Sequence, residues 1–532
     1  MLTRRALLAA TAASPLAVSL GTAPAFAATP REVVVMAMQI DDVISLDPGE
    51  SYEFTDNEVC GNVYRKLVLP DETDAAKVVG DLAKSWDISG DGLTFTFHLV
   101  DDARFASGKA VTAHDAAFSL QRLVAMDKAP AFIISQFGFT RDNVAKLVRA
   151  TDDRTLVLTL PAPQAPSLVL NCLSASCGNV VEQAVAMAHQ VDGDLGNGWL
   201  KTNSAGAGAY RLTSWAASDH IILDANPISG IAVQPKRIVI RHVADPAAQL
   251  LLLQKGDADI ARNLTPDQIK ALAGNPDFHS ISTLQATSMY IAMNETVPAL
   301  AKPEVRQAIK WAIGYDAIAQ NITPNLWGVS QSFLPKGLPG ALSEQPFRKD
   351  TAKAKQLLAA GGYPNGVTLT MDFIASLPYS DIAQAVQADL AQAGITLQLL
   401  PGEEKQVITK TRSRTHQLAM LYWASDYFDP NSNAQGFCAD PDDSAGSKLK
   451  ILAWRSHFAD KQLTDETLAA AKELDAARRI ALYQEMQRQF WDRAPFAILL
   501  QRNVNATMRQ NVSGLFVGPM PDFTKYQRLV KT

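Results

Sequence analysis

The chain has 532 residues, of which 47% are hydrophobic and 19% charged, with a formal net charge of −5. Single hydrophobic cores stop growing near roughly 250–300 residues, which excludes one core and calls for two large lobes, or two and a subdomain. The mildly acidic balance, with no basic block, argues against nucleic acid as a partner, and beyond the first residues nothing approaches the roughly 18 uncharged apolar residues of a spanning helix.

The opening Met1-Leu-Thr-Arg4-Arg5-Ala-Leu-Leu, an Ala/Leu-rich run and Ala25-Phe26-Ala27 form a signal peptide over 1–27, with cleavage before Ala28. Its Thr-Arg-Arg-x-Leu-Leu core looks like a twin-arginine export signal; an ordinary secretory leader carrying two arginines is the alternative. No cysteine lies near the cleavage site, so a soluble periplasmic protein without a lipid anchor is expected. In an oxidising compartment, Cys172 and Cys177 are close enough in sequence for a short disulfide, with two buried thiols as the alternative. Cys60 and Cys438 pair only if the fold brings them together.

The first patterned stretch is Leu46-Asp-Pro48 followed by Glu50-Ser-Tyr52-Glu-Phe54-Thr55. Next comes Val79-Gly-Asp-Leu-Ala-Lys-Ser-Trp86, an aromatic-anchored turn. After the Gly90-Asp91-Gly92 turn, Leu93, Phe95, Phe97 and Leu99 alternate with polar residues as a half-buried strand does. Thr112 and Asp115 form a variant capping box that opens a helix through Phe118. Leu156, Val157, Leu158 and Leu160 make a strand ended by Pro161-Ala-Pro163, and Gly206-Ala-Gly208-Ala-Tyr210 is a turn into another.

The second half is more regular. Pro303 suits the first position of a helix whose Val305, Ala308, Ile309, Ala312 and Ile313 face inward, with Arg306 and Lys310 on another face. Asp350 caps a helix that stops at Gly361-Gly362. Val367, Leu369, Met371 and Phe373 alternate as a strand. Ile382, Val386, Leu390 and Ala393 mark a helix, and Ile395, Leu397 and Leu399 resume strand periodicity. This series is a βαβ unit, hence parallel sheet, and the fold class is α/β.

Arg412, Arg414 and His416 form a polar cluster that either meets a ligand carboxylate or is a solvated face. Leu421-Tyr422-Trp423-Ala-Ser-Asp426-Tyr427-Phe-Asp429-Pro430 follows; Trp423 and Tyr427 offer flat apolar contact. Alternatively, Asp429-Pro430 starts a turn and Asp426 caps a neighbouring helix. Ser447-Lys-Leu-Lys450 fits Ser-x-x-Lys, the only trace of a secreted serine hydrolase, but no Lys-Thr-Gly follows it. No nucleophile elbow, His-Glu-x-x-His or phosphate loop is present. The eight histidines are scattered, so no catalytic residue, cofactor or metal site is expected.

The run from Val79 to Asp115 resembles the solute-binding proteins of peptide and nickel ABC importers, the extracellular solute-binding family 5. The resemblance continues in order through Leu46-Asp-Pro48, Ala248-Gln-Leu-Leu-Leu-Leu-Gln-Lys-Gly-Asp-Ala-Asp259-Ile, Tyr290-Ile-Ala-Met-Asn294, Val305-Arg-Gln-Ala-Ile309, Ala354-Lys-Gln-Leu-Leu358 and Gly362-Tyr-Pro364. It implies a two-lobed periplasmic-binding-protein fold of the second class with a hinged cleft. The first lobe would span 28–284 with a subdomain inserted near 65–200, the second 285–495, and 496–532 would return to the first. It also implies a binding protein rather than an enzyme, working as a monomer with an ABC permease and ATPase complex.

In peptide-binding relatives the acid at Asp426 pairs with the ligand's α-ammonium, and the stretch holding Tyr52 and Thr55 faces the cleft. Relatives commonly carry Gly where Tyr422 stands, and some carry Arg where Met420 stands. These departures point to a short or non-peptide ligand. The expected solute is a di- or oligopeptide or similar small polar molecule; opine, oligosaccharide and metal chelate, with His416 assisting, are the alternatives.

Overall fold

The computed structural model describes residues 30–532, so the expected leader lies outside the described residues. One mixed sheet runs through the protein in the strand order Tyr210–Ala216, His220–Ala225, Arg237–His242, Val33–Met38, Ile260–Ala261, Phe496–Arg509, Phe278–Met293, Leu418–Ala424, Val367–Ile374, Ile395–Gly402. Trp327–Val329 pairs with Phe496–Arg509 off this path. At one end Val33–Met38 lies parallel to both its neighbours. At the other, Val367–Ile374 does the same between Ile395–Gly402 and Leu418–Ala424.

Each parallel centre needs a helix across its face, because parallel strands are joined by crossovers. Helix Tyr379–Gln392 is such a crossover; it buries Ile382, Ala383, Val386 and Leu390, the spacing the sequence displays. Two antiparallel strands, Phe278–Met293 and Phe496–Arg509, join the two ends. Their pairing shifts register between Leu284 and Ser288 and again at Met289 and Tyr290. One hydrophobic cluster gathers Val34, Met36, Ile221, Ile238 and Tyr526, and another Met289, Ile309, Leu369, Val386 and Leu418. The result is a two-lobed α/β fold.

A separate antiparallel sheet, Ala83–Ile88, Thr94–Leu99, Thr155–Thr159 and Val148–Asp152, carries its own core of Phe95, Phe97, Leu156 and Leu158. Helix Ala113–Met126 packs there. Thr112 Oγ1 accepts from the Asp115 N–H while the Asp115 carboxylate accepts from the Thr112 N–H, the reciprocal cap read from the sequence. Gly208 is required by close approach: a Cβ there would lie 2.5 Å from the Asn62 carbonyl oxygen and the Val63 carbonyl carbon.

Helix Pro303–Ala312 forms with Arg306 and Lys310 both buried on its other face, and one expectation, the disulfide, changes. Lys310 Nζ donates to the carbonyls of Trp491 and Ala494 at the C-terminal end of helix Ala476–Arg493, where the helix dipole favours a cation. Burial pulls its pKa down to about 7. Cys172 and Cys177 form no disulfide; both are free buried thiols, as are Cys60 and Cys438. Cys172 sits in the last turn of helix Pro166–Ser174 against the Gln136 amide, whereas Cys177 sits on the following 3-10 turn, near the Lys66–Asp522 ion pair.

Candidate functional site

Strand Leu418–Ala424 runs antiparallel to Thr287–Met293 and ends one residue before the turn that carries Asp426. That turn is locked from both sides. The Ser425 N–H donates to Ala286 O at 2.9 Å, and the Asp426 N–H donates to Ser432 Oγ at 2.8 Å. Asp429 caps helix Pro430–Cys438 by accepting from the Asn431 N–H, and Arg479 grips the same carboxylate through both terminal nitrogens, at 2.8 and 2.6 Å. Asp429 and Arg479 are buried together. A bidentate guanidinium–carboxylate pair fixes geometry as well as charge, so the turn presents Asp426 from a rigid base. Asp429 does the capping that the sequence left open between it and Asp426.

Asp426 lines a cavity of about 460 Å³. The opposite wall comes from Ser51–Phe54 at the start of helix Phe54–Val63, with Phe132 and Ser176 beside it. The Tyr52 hydroxyl donates to Asp426 Oδ1 across the cavity. Burial pushes the Asp426 carboxyl up to about 6, against the hydrogen bonds from Tyr52 and Ser432 that favour the ionised form. No cation is among the groups acting on it. A carboxylate held this way, hydrogen-bonded yet short of a counter-charge, favours an incoming ammonium.

The other expected residues divide. Trp423 and Tyr422 both line the cavity. Tyr422 stacks on Tyr379 with ring centroids 6.0 Å apart, and its hydroxyl donates to Glu404 Oε1 at 2.6 Å. Tyr427 and Thr55 are corrections: neither reaches the cavity. Next along the turn, Tyr427 is buried in the core of the separate antiparallel sheet, where its hydroxyl accepts from the Asn431 amide. Thr55 is buried in the first turn of its helix, with its N–H on Asp42.

The polar cluster before the Trp motif also splits. Arg412 is exposed at the cavity wall. Arg414 turns away to Asp443 and His457 and covers the Trp454 ring. His416 is buried away from the cavity, and burial pulls its pKa down to about 4, so it is neutral and placed to assist no chelate. Ser447 Oγ donates to Leu449 O rather than engaging Lys450, whose ammonium lies over Trp454, so the Ser-x-x-Lys pattern forms no dyad. Among the described residues no group of three or more His, Cys, Asp or Glu is arranged to hold a metal ion, and no helix is long and apolar enough to cross a membrane.

Sequence reasoning missed Arg455 and Glu404, which also line the cavity. Arg455 closes the four-residue helix Leu452–Arg455, 29 residues beyond Asp426, and no spacing pattern marks it.

The chain is 28% identical over 513 residues to the probable D,D-dipeptide-binding periplasmic protein DdpA of Escherichia coli K12, covering 93% of each. It is 26% identical over 486 residues to the glutathione-binding protein GsiB of Pectobacterium atrosepticum, covering 90% of each. Its fold superposes on the periplasmic binding protein DppA of Helicobacter pylori, solved with the peptide STSA. That match has a TM-score of 0.78 at 24% identity and covers 94% of this chain and 98% of the other. Residues 77–445 match the family described as bacterial extracellular solute-binding proteins, family 5. With that match spanning more than half its length, on a two-lobed fold with a cavity between the lobes, the chain belongs to the family 5 extracellular solute-binding proteins.

Proposed function

We propose that this chain is the substrate-binding component of an ABC importer. It captures a small ammonium-bearing solute, a di- or oligopeptide first, in the periplasm and hands it to a membrane permease with its ATPase. It acts as a monomer and makes or breaks no covalent bond. The first lobe with its inserted subdomain and the second lobe, divided near residue 285, are the halves that move about the two connecting strands. Separate hydrophobic clusters on either side support that division.

The observation that carries the proposal is Asp426, a carboxylate facing the cavity that burial disfavours as an anion and that no cation offsets. Lobe contact excludes water, so an ammonium meeting this carboxylate makes a short charge-assisted bond. A ligand lacking the ammonium leaves the acid buried and unpaired, which costs affinity. Relatives named for dipeptides and glutathione support the ligand class.

The test is calorimetry on the mature protein after thermal-shift screening of peptides, opines, oligosaccharides and nickel–histidine. The tightest peptide should lose about 2–5 kcal/mol on Asp426→Asn, the range for truncating one partner of a buried charge pair. Its N-acetyl derivative should bind weakly to both proteins. Unchanged affinity in Asp426→Asn would remove Asp426 as the anchor.

A further inference from the structure

The cavity has a second charged side that the ammonium reading leaves unexplained. Arg455, Lys448, Lys450 and Arg412 all line it. Arg455 is half-buried, and its Nε donates to the Lys450 carbonyl at 3.3 Å. Neither terminal nitrogen of its guanidinium meets a partner among the described residues. The groups acting on its charge, besides burial, are the Tyr290 and Tyr52 hydroxyls and the like charge of Arg412; no carboxylate is among them.

Two of the other acids of the same cavity are engaged elsewhere: Glu404 holds the Tyr422 hydroxyl and Asp522 pairs with Lys66, while burial and the like charges of Asp42 and Glu404 push the Glu53 carboxyl up. Arg455 acts on the Tyr52 hydroxyl, and Tyr52 bonds Asp426, yet Arg455 is not among the groups acting on Asp426. Arg455 and Asp426 thus line the same cavity with no ion pair joining them. A planar fork of N–H donors held from behind and facing an open cavity matches a carboxylate.

We propose that Arg455, flanked by Lys448 and Lys450, is the carboxylate-binding subsite of this cavity, so that the solute is a zwitterion held at both ends. This rests on the reading of Asp426 as the ammonium anchor and adds a second requirement to it. The ligand class narrows to unblocked short peptides and similar amino acids with a separated ammonium and carboxylate. Neutral sugars and peptides blocked at the C-terminus are excluded.

The test uses the mature chain and the tightest binder among alanyl-alanine, trialanine and the tetrapeptide Ser-Thr-Ser-Ala. Each is measured as the free acid, as the C-terminal amide and as the N-acetyl derivative. The amide should bind the unsubstituted protein roughly 30-fold or more weakly than the acid. Arg455→Met should abolish that discrimination, binding acid and amide alike, while Arg455→Lys retains most of it. A melting curve for each variant establishes that it folds. Equal binding of acid and amide by the unsubstituted protein, or undiminished discrimination in a folded Arg455→Met, overturns the subsite. If the acetylated peptide binds as well as the free one while the amide does not, the ammonium anchor fails and the Arg455 subsite stands. Binding of none of the three peptides overturns both.

Discussion

Asp426 stands in opposition to its surroundings. Burial raises its carboxyl to about 6, so between the ordinary range near 4 and pH 6 the folded protein holds a proton that the unfolded chain releases. Stability of the ligand-free protein therefore falls as pH rises through that window. Ammonium binding, which needs the ionised acid, runs the opposite way. Affinity for an amine-bearing ligand should be flat above about pH 7 and drop by up to about tenfold per unit below pH 6. Calorimetry from pH 5 to 8 reads this, and a flat profile across that range would show that the acid is not titrating in the site. By the same reasoning Asp426→Asn should raise the melting temperature of the ligand-free protein at pH 7.5 while weakening binding, the usual conflict between site and stability. Asp429, three residues on, differs because Arg479 satisfies it fully, and its role is to hold the turn. The acid-and-Pro pattern marked both residues in the sequence. Which acid faced the cavity followed from the resemblance, and which one capped the helix followed only from the fold.

Among the elements, the reliable signals were those whose physics is local. The Thr112–Asp115 box, the Asp350 cap with its stop at Gly361-Gly362, and the strand–helix–strand from Val367 to Gly402 all form where patterning puts them. Each rests on hydrogen bonds or burial faces set within a few residues. Removing the reciprocal cap with Thr112→Ala should cost about 1 kcal/mol, measured as a lower urea midpoint with unchanged slope, and should leave ligand affinity intact because the helix lies outside the cavity wall. For helix Pro303–Ala312 the sequence displayed the inward face, but not what Arg306 and Lys310 on the other face would meet. The reason is distance in sequence: the carbonyls that receive Lys310 belong to residues 491 and 494. Cys172 and Cys177 show the same gap, since proximity along the chain says nothing about which way a helix end and a 3-10 turn aim two sulfurs.

At the scale of the whole molecule, Phe278–Met293 and Phe496–Arg509 belong to both lobes, and their register shifts fall where the sheet passes from one parallel centre to the other. A solute gripped from both walls adds its binding free energy to folding. At a hundredfold excess over its dissociation constant it should stabilise the protein by about 2.7 kcal/mol, read as a higher denaturation midpoint; a tight binder that leaves the midpoint unmoved would be bound outside the native cavity. Periodicity, caps and the order of motifs along the chain were enough to determine the α/β class and the family, because those depend on neighbours in sequence. The burial of Tyr427 and Thr55, the free thiols, and the arrival of Arg455 at the cavity that Tyr52 lines were decided only by tertiary packing. Each depends on which surfaces, hundreds of residues apart, the long shared strands bring face to face.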